Sequence, residues 1–128
     1  MCMYTVVSCV WIYWMRFEYD EQKNDYNLAR HGVDFPTAAL IFDDPYAMTI
    51  RDVLHDEDEE RYNTVGEFSP GSILFVVHAL FADEKGEEVI RLISARAATS
   101  KERKPYEEAH KRAEAASRRH RRQNRRRH

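Results

Sequence analysis

Cations are scarce in the first hundred residues of this 128-residue chain, where 8 Lys and Arg stand against 18 Asp and Glu. Lys23, Arg30, Arg51, Arg61, Arg91 and Arg96 are six of those eight, so each placement is informative. Arginine carries a permanently charged planar fork that grips carboxylate or phosphate in a bidentate way. Arg91 interrupts an apolar run of Val89, Ile90, Leu92 and Ile93, and Arg61 opens a strand-like segment. The plain structural readings are a cross-sheet salt bridge from Arg91 to Glu60, Glu67 or Glu88, and an ordinary edge charge at Arg61. Strand parity groups Arg91 with Ile93 and Ala95, but Arg96 with Ile90, Leu92 and Ser94. The two therefore share a face only if the strand ends or bulges between them.

Other chemistries lose their usual support. The chain has no P-loop, dinucleotide fingerprint, nucleophile elbow or HExxH, and its histidines lack metal-ligand spacing, so neither a metal nor a cofactor is expected. The acidic HDEDEE stretch lacks the calcium-loop pattern and reads as a solvated connector. Cys2 and Cys9 are the only cysteines, too few for a disulfide framework, and a cytoplasmic location is expected.

The elements that must position these residues follow from pattern and punctuation. Residues 1–14 are an apolar extension, shorter than the roughly 20 residues of a spanning helix and without a signal-peptide pattern. They suit an extra strand or an association surface, or lie outside the protein if translation starts at Met15. Phe17 to Tyr19 predict a short strand. Asp20 then caps a helix that Gly32 stops, and Asp34 with Pro36 opens a second, short helix ended by Pro45. From Tyr46 onward the period is two, predicting four strands over 46–52, 61–68, 72–81 and 87–95, joined by connectors short enough for a meander. Thr99 and Glu102 form a capping box for a C-terminal helix. Residues 118–128 hold seven arginines and no apolar residue, which predicts a disordered arm after a domain spanning 15–117. The order βααββββα is an α+β class, with helices over one face of an antiparallel sheet, which leaves the other face able to be wet.

Four ordered segments, FEYDEQKNDYNLARHGVDF, AALIFDDPYAMTI, EERYNTVGEF and VIRLISARAATSKERKPYEE, resemble the BrnT family of type II toxin–antitoxin systems, whose members are RelE-like ribonuclease toxins. The likeness runs from about Phe17 to Glu108. It includes Asn27-Leu28-Ala29-Arg30-His31-Gly32, the strand from Glu60 to Gly66 and the run from Ile93 to Arg103. Residues 1–14 and the arginine tail lie outside it.

The resemblance implies an endoribonuclease that cleaves RNA without a metal and inhibits growth. In such a reaction the neighbouring 2′-OH attacks phosphorus, a base takes its proton, an acid serves the leaving 5′-oxygen, and cations hold the phosphorane charge. Arg61, Arg91 and Arg96 are the candidates for the phosphate, with Lys23 adding charge from the first helix. Glu60 is a candidate base, or a holder of Arg61, and His31 or His78 could move protons. The plain alternatives are a solvated Lys23, a His31 that caps its helix, and a hydrogen-bonded core His78. The implied partners are an RNA substrate and a BrnA-type antitoxin, with DNA reached only through the antitoxin and no membrane involved. Two other classes stay open: a non-catalytic antitoxin-binding module acting in operon autoregulation, and a nucleic-acid binder driven by the tail.

Overall fold

The computed structural model describes residues 7–12, 15–55 and 59–126, with side chains for 15–54 and 59–126. The strands are Val7–Ile12 (β1), Met15–Asp20 (β2), Met48–Arg51 (β3), Arg61–Ser69 (β4), Ser72–Ala82 (β5) and Glu88–Ala97 (β6); the helices are Glu21–His31 (α1), Phe35–Ala39 (α2) and Ser100–Arg126 (α3). The six strands form one sheet in the order β1-β2-β6-β5-β4-β3. The expected meander is present as antiparallel pairs from β3 to β6. At the other side β2 runs parallel to β6, and β1 adds to β2 in antiparallel register. Parallel neighbours need a long crossover, which here is the whole chain from α1 to β5.

Local chemistry sets the helix ends. Asp20 accepts from the backbone N–H groups of Gln22 (2.8 Å) and Lys23 (3.1 Å), and Gly32, at φ 72°, takes the left-handed stop that other residues avoid. Asp34 caps α2 through the N–H of Thr37, and a 3-10 turn over Leu40–Asp43 follows. Phe17, Tyr19, Phe35, Ile41, Leu74 and Leu92 anchor a core between these helices and one sheet face. The 3-10 turn presses so closely on β4 that a Cβ at Gly66 would stand 3.0 Å from the Ile41 Cβ. Alanine there would force the layers apart.

One expectation is refined and one is corrected. The second sheet face is not left wet throughout, because the first turns of α3 cross it. Pro105 and Glu102 share a groove with Val65 and Phe75, and buried Tyr106 donates its hydroxyl to Asp44. Asp44 also accepts from the backbone of Glu67 at 2.9 Å, tying α3 to β4. The predicted disordered arm is instead helix through Arg126. Arginine, glutamine and alanine are good helix formers, so loss of an apolar face removes packing but not propensity. Glu114 adds pairs to His110 (3.3 Å) and Arg118 (3.7 Å) one turn away on either side.

Candidate active site

A bulge decides which arginines share a face. Val77 pairs with Ser94 but His78 pairs with Leu92, leaving Ile93 without a partner across the ladder. This slip restores the parity that the sequence leaves in conflict: Arg91 stands opposite Ala79 and Arg96 opposite Phe75, on the same face. One row then crosses four strands, Glu18 beside Arg91, Arg91 beside Ala79 and Ala79 beside Arg61. Arg91 and Arg61 are two strands apart, about 10 Å between backbones. The small, fully buried Ala79 lies between them.

Lys23 reaches the same place because of how α1 is held. The β2–β6 register ends at Glu18 and Arg91, and Asn27 on α1 takes over as a surrogate strand. Its Nδ2 donates to the carbonyls of Ala95 (2.7 Å) and Val33 (2.8 Å), and its Oδ1 accepts from the Ala95 N–H at 3.1 Å. With α1 pinned along β6, its first turn brings Lys23 into a cleft of about 150 Å³ with Asp20, Glu59, Arg61 and Arg91. Arg91 lies 3.9 Å from both Glu18 and Glu59, beyond hydrogen-bond reach, and 4.7 Å above the Phe81 ring. The ring orients the guanidinium while both carboxylates hold it only through space. Such a cation can change partners for a phosphate oxygen.

The remaining sequence candidates lie elsewhere. Arg96 forms a fork with Glu102, at 2.7 and 2.8 Å, over the Phe75 ring at 4.4 Å. That fork, with further help from the Thr99 N–H, holds the Glu102 carboxyl down at about 2. Arg96 is therefore engaged as a strut for α3 and does not line the cleft. Glu60 is half exposed and turned toward Arg51 and the Tyr62 hydroxyl, not into the cleft. His31 is exposed in the last turn of α1, about 12 Å along the helix from Lys23. His78 is buried, with Nε2 2.8 Å from the Thr64 hydroxyl, and burial pushes it down to about 4. It stays neutral in the core.

Sequence reasoning missed Glu59, Glu18 and Asn27. Glu59 differs from Glu60 only by its place in an acidic run, which carries no signal of direction. Asn27 did leave one, since asparagine in a helix interior is a weak former that needs a reason to be there.

Among the described residues no group of three His, Cys, Asp or Glu is placed to hold a metal, and no helix is long and apolar enough to cross a membrane. The sequence pattern of the ribonuclease toxin BrnT of type II toxin–antitoxin systems matches residues 19–102. The chain belongs to the BrnT family. Membership makes it an endoribonuclease toxin with an antitoxin as partner. The chain is also similar to the 1.1 Å crystal structure of the Brucella abortus ribonuclease toxin BrnT. Identity is 25%, the TM-score is 0.48, and the match covers 64% of this chain and 94% of that one. A search of curated proteins returns no match. The BrnT pattern spans α1, the meander and the start of α3, so it includes every residue of the cleft and ends where the basic helix departs.

Proposed function

We propose that this BrnT-family toxin cleaves RNA without a metal, by attack of a 2′-OH on the adjacent phosphorus inside the Lys23–Arg61–Arg91 cleft. The convergence of those three cations around Glu59 carries the reading. Arg61 and Arg91 grip the non-bridging oxygens and stabilise the charge that grows on them in the phosphorane. Glu59 takes the proton of the 2′-OH. Lys23 supplies a third positive charge and is the proton donor available to the leaving 5′-oxygen. The products are a 2′,3′-cyclic phosphate and a 5′-hydroxyl. The toxin acts in the cytoplasm and is neutralised by a BrnA-type antitoxin whose acidic segment covers the cleft, DNA being reached only through that partner. The test is incubation of the purified chain with RNA in EDTA. Fragments ending in cyclic phosphate are expected, and RNA left intact in both EDTA and magnesium would overturn the proposal.

A further inference from the structure

The body of the protein is a poor surface for a polyanion, with 8 Lys and Arg against 18 Asp and Glu in its first hundred residues. The last stretch of α3 is its opposite. Between residues 111 and 126 stand eight cations, Lys111 and Arg112 followed by six arginines, and one carboxylate, Glu114. From Glu114 to Arg126 every side chain is exposed. Beyond Glu114 the described side chains meet only their own helix: Arg118 lies 3.7 Å from Glu114, Arg121 donates to the Ser117 hydroxyl at 3.3 Å, and Asn124 stands 3.2 Å from His120.

The spacing is not random. At about 100° per residue, all eight cations fall within about half the circumference, and Ala113, Ala116, Ser117, His120, Gln123 and Asn124 fill the other half. The result is a one-sided positive stripe about 22 Å long, from Lys111 to Arg126. No large apolar residue lies on the far side, so the helix has neither a face to insert into a bilayer nor a stripe to bury against a partner helix. A long row of forked cations fits a ligand whose charges recur along a line.

We infer that this stripe is a second RNA-binding surface, which holds the phosphate backbone of a long substrate without reading bases and offsets the repulsion of the acidic body. The inference rests on RNA being the substrate of the cleft. The stripe leaves the body near Tyr106 and Glu67, six residues along β4 from Arg61, so it is about 20 Å from the chemistry. RNA must be long enough to reach both.

The experiment uses the full chain and an uncleavable 2′-O-methyl oligouridylate of about 20 nucleotides, with affinity measured across a salt series. In one variant Arg118, Arg119, Arg121, Arg122, Arg125 and Arg126 are all changed to Gln, and in a second the same six are changed to Lys. Circular dichroism checks that the helix remains. The Gln variant should bind at least about tenfold more weakly near 0.1 M salt, and its log-affinity against log-salt slope should be shallower by about 2 to 4. The Lys variant should stay within about threefold of wild type, because charge is kept. Equal affinity and slope for wild type and the Gln variant would overturn the inference, as would an equal loss in the Lys variant. Loss confined to duplex DNA, or to association between copies of the chain, would overturn the RNA assignment. Cleavage of a dinucleotide by the wild-type chain is scored separately, so failure of the catalytic reading is distinguishable from failure of this one.

Discussion

Arg91 and Arg96 lie on one strand and one face, each with its guanidinium over a phenylalanine ring, at 4.7 and 4.4 Å. Their carboxylates separate them. Glu102 is set by its capping box and meets Arg96 in a fork of 2.7 and 2.8 Å, whereas Glu18 and Glu59 stop 3.9 Å from Arg91. A saturated fork cannot take a phosphate without breaking an ion pair that anchors a helix. A guanidinium held only through space can exchange its partner for a substrate oxygen at little cost. Residue type and ring stacking are common to both, so the reach of the carboxylate separates an arginine that can exchange its partner from one that is held.

Substitutions put the contrast between the two arginines to the test. The largest effect on turnover is expected at Arg61→Ala, a loss of about 10²- to 10³-fold in cleavage, as for removal of one charge-stabilising donor. Its unfolding free energy should move by less than about 1 kcal/mol, and a drop of several would make Arg61 a second strut. Next is acid lability, which is expected to arise in the core at His78 and not at either arginine. Folded His78 titrates at about 4, below the 6.5 of the unfolded chain, so the unfolded state takes up its proton first as pH falls. Stability should decline by up to about 3 kcal/mol between pH 7 and pH 4 in urea titrations, and a packed His78→Phe variant should flatten that decline. The Arg96–Glu102 fork behaves otherwise. Its contribution is present above the ordinary carboxylate range and is lost only as pH falls through about 2.

Glu59→Gln should lower cleavage by about a hundredfold and remove the acid limb of the pH profile. An unchanged limb would move the base elsewhere. Lys23→Ala, at an exposed position in the first turn of α1, should lower cleavage by less than about tenfold and leave the melting temperature unchanged.

The parts readable from sequence are those set by local rules. Asp20 and Asp34 cap their helices, Gly32 ends α1, Thr99 and Glu102 form the box of α3, and period two marks the meander. Lys23, Arg61 and Arg91 were legible as candidates because cations are rare in the acidic body. Their meeting was not, since it depends on β2 pairing parallel to β6 and on Asn27 extending that edge, both contacts between residues some seventy positions apart. The bulge at Ile93 was visible only as a parity conflict, and its resolution required the register of β5 against β6. The partners of Arg96 and Glu60 are hidden for a related reason: charge and position in a strand say nothing of which charged group arrives from another element. In the tail, the absence of an apolar face does not imply the absence of helix, because good helix formers need no packing partner to extend α3.

The most direct test compares Arg91→Ala with Arg96→Ala in the full chain, with RNA cleavage in EDTA and urea unfolding measured on the same preparations. Arg91→Ala should keep its stability within about 1 kcal/mol and lose about 10²-fold or more in cleavage. Arg96→Ala should lose about 1 to 2 kcal/mol of stability and, scored per folded molecule, cleave within about threefold of wild type. The reverse pattern, or equal losses of cleavage in the two variants, would contradict the assignment of Arg91 to the active site and Arg96 to the frame.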